Sequence, residues 1–163
     1  MKYLIIGAGG TGGSIGAFMT EAGKDLTVID RGMHLEAIQN HGLKMETTSK
    51  GNYTVYPMKA WDMEHYNEQP DVIFNCAKDY SLLDTIPFIK RAAHKDTIII
   101  PILNIYGTGG RMQKLLPDLL VTDGCIYISA EIKEPGIILQ KGDIFRVVFG
   151  VRTSGIFQRR KNR

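Results

Sequence analysis

Residues 1–30 constrain this chain more than any other stretch. Lys2-Tyr3-Leu4-Ile5-Ile6 is an apolar run of strand length, and it breaks at Gly7-Ala8-Gly9-Gly10-Thr11-Gly12. Ser14 to Ala22 then carries apolar residues at helical spacing, and a second apolar run, Leu26 to Ile29, ends in Asp30-Arg31. Glycine spacing alone says little in a chain with 18 glycines. The order strand, glycine turn, helix, strand, terminal acid says much more, because each residue type has a task. Gly7 permits the tight turn off the strand, Gly9 leaves room for a pyrophosphate, and Gly12 lets the helix pack closely on the sheet. Unpaired amides at the helix start favour phosphate charge. Asp30 follows Gly12 at about the twenty-residue spacing at which an acid meets the adenosine ribose hydroxyls. Gly7, Ala8, Gly9, Gly10, Thr11, Gly12, Asp30 and Arg31 are therefore the expected cofactor-binding set.

The rest of the chain reads as alternating elements. Met33–His41 is expected as a helix stopped by Gly42. Leu43–Thr47 and Tyr53–Tyr56 alternate apolar with polar residues around the turn Ser49–Asn52, a hairpin expected on the sheet edge. Pro57–Pro70 has no strong period and reads as a loop or short helix. Asp71–Ala77 is a mostly apolar strand, Tyr80–Ala93 a helix that Pro87 should interrupt, and Thr97–Pro101 a buried strand. A helix from Gly109 to Leu116 and a short strand, Leu119–Val121, follow. Cys125–Lys133, Gly136–Gln140 and Ile144–Phe149 read as three antiparallel strands, with turns at Glu134-Pro135-Gly136 and Lys141-Gly142-Asp143. The expected fold is α/β: a Rossmann-like, doubly wound, mostly parallel sheet with an antiparallel C-terminal extension.

At 163 residues the chain is of single-domain size, and 44% hydrophobic with 23% charged residues is ordinary for a globular protein. No apolar stretch reaches membrane-spanning length, and Met1-Lys2 leads into a strand rather than a secretory signal. Cys76 and Cys125 are far apart and outside any ligand-spaced cluster, so reduced thiols in a cytoplasmic protein are expected, and no metal site. His34, His41, His65 and His94 lack metal spacing and read as surface or helix residues. The net charge of +3 rests on Arg152, Arg159, Arg160, Lys161 and Arg163; without them the remainder is slightly acidic. This tail reads as a solvated terminus, and no nucleic-acid partner is inferred.

In a doubly wound sheet, ligands bind beyond the carboxyl ends of the strands. That brings in Lys78, after the Asp71–Ala77 strand, and Asn104, after the Thr97–Pro101 strand. A lysine there can pair with phosphate or a carboxylate, and an asparagine can bond a carbonyl or a ribose hydroxyl. Equally, both read as an ordinary loop lysine and a turn-forming asparagine. No Tyr-x-x-x-Lys sequence or nucleophile elbow is present.

Several ordered segments resemble the ketopantoate reductase (2-dehydropantoate 2-reductase) family. They are Gly7 to Gly16, Val28 to Ile38, Ala77-Lys78-Asp79-Tyr80, Pro101-Ile102-Leu103-Asn104, and Glu134-Pro135-Gly136 with the strand to Gly150. The resemblance covers residues 1–150 and implies NADPH-dependent reduction of ketopantoate, or a similar 2-oxo acid, within pantothenate biosynthesis. It makes Lys78 and Asn104 the catalytic pair on the nicotinamide and substrate side, and sets Arg31 to meet the adenosine 2′-phosphate. Asp30 stands where many NADPH-using relatives are neutral, which argues for NADH; the resemblance and Arg31 favour NADPH. Ile105-Tyr106 replaces the family's usual glycine after the asparagine, which would reshape the pocket.

Family members carry a helical second domain that supplies a lysine acid and the dimer contacts. Residues 1–150 are expected to be the NAD(P)-binding domain, and 151–163 a basic tail where that second domain would begin. Residues 1–163 alone should then bind cofactor but turn over poorly, and the uncovered face could drive homodimer association. The alternatives are a non-catalytic NAD(P)-binding or redox-sensing module, and another hydroxyacid dehydrogenase related to 6-phosphogluconate dehydrogenase.

Overall fold

The structure, a computed structural model, describes residues 1–78 and 81–152. Among the described residues there are ten strands and four helices, and the strands build two sheets on either side of one helix. The element order opens β1 (Lys2–Ile6), α1 (Gly10–Glu21), β2 (Asp25–Ile29), α2 (Gly32–His41), β3 (Leu43–Thr47), β4 (Gly51–Val55) and β5 (Lys59–Trp61). It continues β6 (Val72–Asn75), α3 (Thr85–Ala92), β7 (Ile98–Pro101), α4 (Thr108–Leu115), β8 (Leu120–Val121), β9 (Asp123–Glu134) and β10 (Ile137–Gly150).

The first sheet is parallel, in the order β5-β2-β1-β6-β7-β8. The chain winds outward from β1 to one edge and then returns to build the other half from β6, which is the doubly wound arrangement with its reversal between β1 and β6. Both faces of the sheet are covered, so the central strands are apolar without alternation. Leu4, Ile5 and Ile6 are all essentially inaccessible; Ile5 joins the core beneath α1, while Leu4 and Ile6 join the core with Ile73, Ile89 and Met112. Each such side chain contributes roughly 1.5–3 kcal/mol by burial.

The second sheet, β4-β3-β10-β9, covers the other side of α1. This sandwich explains the glycine density of α1. A Cβ at Gly12 would lie 2.0 Å from the Gly7 carbonyl oxygen and 2.9 Å from Ile5 Cγ2, on the parallel-sheet side. On the opposite side, a Cβ at Gly10 would lie 2.2 Å from the Ala130 carbonyl oxygen of β9, and one at Gly13 would lie 3.1 Å from Ile138 of β10. Only a helix without side chains at these points fits between two backbones.

The expected fold holds, with four local corrections. Lys59–Trp61, expected within a loop or short helix, is the edge strand β5, parallel to β2. The Leu43–Val55 hairpin forms, but it joins the second sheet, where β3 runs parallel to β10. The two last expected strands are one, β10; Lys141-Gly142-Asp143 is not a turn but part of a bulge opposite Tyr127–Ser129. That bulge sets the Phe145 ring edge-on to Phe18 of α1, with centroids 4.6 Å apart. Finally, the helix expected from Tyr80 begins at Thr85. Pro87 sits in its first turn, where no amide donor is required. Asp79, Tyr80 and the tail from residue 153 lie outside the described residues.

Candidate functional site

The carboxyl ends of β1, β2, β6 and β7 converge on the sheet's reversal point. β1 leaves the sheet through Gly7, whose φ of 91° is open to glycine and strained for other residues. The turn presses on the end of β6: a Cβ at Gly7 would meet the Cys76 carbonyl oxygen at 3.2 Å and the Ala77 amide at 3.3 Å. The Gly7 amide donates to Ile29 O at 2.8 Å, which binds the loop to β2. Gly9 is the N-cap of α1 and offers no side-chain acceptor, so the first-turn amides have no side-chain cap. Around Gly9 there is room: an added Cβ would meet only Ile132 Cδ1, at 4.0 Å.

Asp30 braces this loop. Its Oδ2 accepts from the Ala8 amide at 2.7 Å and its Oδ1 from the Arg31 amide at 2.8 Å. Arg31 is exposed and lines a cavity of about 340 Å³ with residues of α2 and with Trp61, Asp62 and His65. The Asp62 carboxylate, hydrogen-bonded to the His65 ring, raises the His65 pKa; the His65 amide in turn lowers that of Asp62.

At the end of β6, Asn75 is wholly buried. Its Nδ2 donates to Thr85 Oγ1 at 2.9 Å, and its Oδ1 accepts from the Ala77 amide at 3.2 Å. Asn75 thus ties the start of the Lys78 loop to α3. Lys78 is exposed just beyond it. Cys76 is partly exposed as a residue, but burial pushes its thiol up to about 12, far from a reactive thiolate. At the end of β7, the Ile102 amide donates to Asn75 O at 2.8 Å, so the loops after β6 and β7 share one anchor. Asn104 lies in the second loop and hydrogen-bonds the backbone of Ile126 in β9 through both side-chain atoms.

Beside Asn104 a groove of about 910 Å³ runs between the β7–α4 loop and the β9–β10 ladder. Its walls include Ile105, Tyr106, Tyr127 and Phe149, all substantially exposed. Arg152 closes one end, paired with Asp123 at 3.0 Å and donating to the carbonyls of Val121 and Thr122. It is therefore a fixed wall residue, not part of a solvated tail.

All expected site residues thus lie along one edge of the parallel sheet, with Lys78 and Asn104 in the loops that follow the adjacent strands β6 and β7. The family model for ketopantoate reductase PanE/ApbA matches residues 3–154. The chain belongs to the ketopantoate reductase family. It is 33% identical over 150 residues to an uncharacterized oxidoreductase, YkpB, of Bacillus subtilis, covering 92% of this chain and 48% of that protein. The crystal structure of 2-dehydropantoate 2-reductase from Porphyromonas gingivalis shares 34% identity at a TM-score of 0.82, covering 92% of this chain and 54% of that one. D-mandelate dehydrogenase, solved with NADH and anilino(oxo)acetate, has the same fold at 22% identity, a TM-score of 0.83, and coverage of 99% of this chain and 52% of that one. The chain spans about half the length of the curated relatives it matches.

Two residues of the site escaped sequence reasoning. Asn75 stood inside the expected Asp71–Ala77 strand with no role assigned to it. His34 looked like a surface or helix residue, yet it is 8% exposed and hydrogen-bonded to the Ala8 carbonyl. An Asn at a strand's carboxyl end, before a loop of suspected function, was the available signal for the first. Among the described residues no group of three or more His, Cys, Asp or Glu could hold a metal, and no helix is long and apolar enough to cross a membrane.

Proposed function

We propose that this chain holds a nicotinamide dinucleotide, NADPH in preference to NADH, for the reduction of ketopantoate or a close 2-oxo acid to the 2-hydroxy acid. The observation that carries the reading is the glycine loop, open at Gly9 and uncapped at α1, at the reversal point of the parallel sheet in a chain of this family. The residues fit the group: space without side chains, amide donors and a helix start together suit a pyrophosphate.

When bound, the reduced nicotinamide supplies the hydride. The chain's own residues bind and orient. Gly9 and the first turn of α1 take the pyrophosphate, and the Arg31 guanidinium takes the 2′-phosphate in a forked hydrogen bond. Asp30 does not decide for NADH in this reading, since both its oxygens already accept backbone amides that offset its charge. Lys78, a cation on a flexible stem at the end of β6, pairs with the substrate's carboxylate or carbonyl oxygen. Asn104 keeps the loop wall in place through Ile126 and has a second N–H on Nδ2 to offer.

The proton donor belongs, in this reading, to the part of the relatives' length that the chain does not match. Residues 1–163 alone then bind cofactor and turn substrate over slowly, and the apolar walls of the groove are contact surface for the remainder of the protein or a second copy. The free thiols of Cys76 and Cys125 support a reducing, cytoplasmic setting. The test is ketopantoate-dependent loss of NADPH absorbance by the whole protein. Lys78→Met should reduce turnover at least 100-fold, by analogy with the loss of a group that orients or stabilises the reacting centre. Absence of ketopantoate-dependent oxidation, or full activity in the Lys78 variant, would overturn it.

A further inference from the structure

His34 stands in α2, outside the glycine motif, but its ring is packed against the loop from which a cofactor phosphate would be held. Its Nε2 lies 2.9 Å from the Ala8 carbonyl oxygen, and the Gly136 amide, at the β9–β10 turn, donates to its Nδ1 at 3.0 Å. A ring nitrogen that accepts from an amide carries no proton. The neutral ring therefore bears its hydrogen on Nε2 and donates it to Ala8 O.

That contact sets the loop's geometry. The Ala8–Gly9 peptide is planar and trans, so a carbonyl turned toward His34 sends the Gly9 N–H the opposite way. The Gly9 flank is the open one, with only Ile132 Cδ1 at 4.0 Å from an added Cβ. On the crowded flank, the Ala8 oxygen would lie 2.7 Å from a Cβ at Gly13, so Gly13 leaves space for the carbonyl that His34 holds. The amide on the other side of Ala8 is already committed to Asp30 Oδ2 at 2.7 Å. Both peptides flanking Ala8 are fixed, one by each partner.

We propose that His34 is a positioning residue for cofactor binding: by holding the Ala8 carbonyl it aims the Gly9 amide into the space for the dinucleotide's pyrophosphate. The inference rests on the dinucleotide reading above and adds a residue to it. It also makes the β9–β10 turn, through Gly136 and the His34 tautomer, part of the phosphate loop's support.

Calorimetric titration of wild type, His34→Leu and His34→Gln with NADPH and with adenosine 2′-monophosphate, which has no pyrophosphate, tests the proposal. His34→Leu should weaken NADPH about tenfold, the worth of one hydrogen bond to a charged group, and leave adenosine 2′-monophosphate within about twofold. His34→Gln, whose amide can donate to Ala8 O, should recover most of the loss. Equal weakening of both ligands marks a merely structural role and overturns the proposal, as does unchanged NADPH binding in His34→Leu. Failure of the wild type to bind NADPH or NADH would instead overturn the function on which it rests. The unaltered protein offers an independent check by nitrogen-15 NMR. The imidazole should show an unprotonated Nδ1, and the Gly9 amide should move on NADPH addition; a protonated Nδ1 or an unmoved Gly9 amide contradicts the proposal.

Discussion

The Asn104 side chain closes a two-bond ring on the backbone of Ile126, donating from Nδ2 to the carbonyl at 3.2 Å and accepting the amide at Oδ1 at 3.3 Å. The loop after β7 is thereby locked to β9. Asn104→Asp keeps the shape but replaces the donor with a carboxylate oxygen facing a carbonyl. The expected loss is about 1 kcal/mol, or a fall in melting temperature of about 2–4 °C for a chain of this length. Thermal unfolding followed by circular dichroism checks it; an unchanged midpoint means the ring contributes nothing.

Glycines in α1 and α4 should respond in opposite directions. A Cβ at Gly12 would sit 2.0 Å from the Gly7 carbonyl oxygen, where backbone must move. Gly12→Ala should destabilise by about 3 kcal/mol, the upper end for overpacking. Gly110, within α4, has nothing within 4 Å of an added Cβ. Gly110→Ala should stabilise by about 0.5–1 kcal/mol through helix propensity. Denaturant midpoints of the two variants against wild type decide, and a destabilised Gly110→Ala would count against the helix as described.

The units readable from sequence were the local ones. β1, the glycine loop, α1 and β2 form a contiguous run in which turn, helix spacing and apolar strands agree. β5 was invisible because Lys59-Ala60-Trp61 is three residues long, sits on the edge, and gains its structure from β2 rather than from its own pattern. β10 looked like two strands because Lys141-Gly142-Asp143 has turn chemistry; its ladder partners in β9 carry the chain through as a bulge. The place of the Leu43–Val55 hairpin depended on pairing with β10, far away in sequence. The same holds at the site. Lys78 and Asn104 were legible as residues after strands, whereas His34 acquires its role from Gly136, a hundred residues on, and Asn75 from Thr85.

The pair Asp62–His65 should show in titration. Its hydrogen bond and charge raise the His65 pKa above the ordinary 6.5. A raised folded-state value means that the stabilisation is present at pH below the unfolded histidine pKa and is lost as pH rises through the folded one. Asp62 is shifted the other way, so its share is present above 3.8 and lost as pH falls through its folded value. Proton NMR of the His65 ring should give a midpoint above 6.5, and Asp62→Asn should lower it. No change in the variant would remove Asp62 as the cause.

Cys76 should be chemically silent in the folded protein. Burial holds its thiol near 12, and the thiolate is the reactive form. Iodoacetamide at pH 8 followed by peptide mapping should leave Cys76 unmodified until denaturant is added. Rapid labelling under native conditions would show that the end of β6 opens.

In the proposed function the loop from Gly7 to Gly12, with Arg31 beside it, holds NADPH. Parallel calorimetric titrations with NADPH and NADH, on wild type and Arg31→Ala, test it most directly. The wild type should bind NADPH more tightly than NADH, and Arg31→Ala should lose roughly tenfold in NADPH affinity, with NADH binding little changed. Tighter binding of NADH by the wild type, or no binding of either, would contradict it.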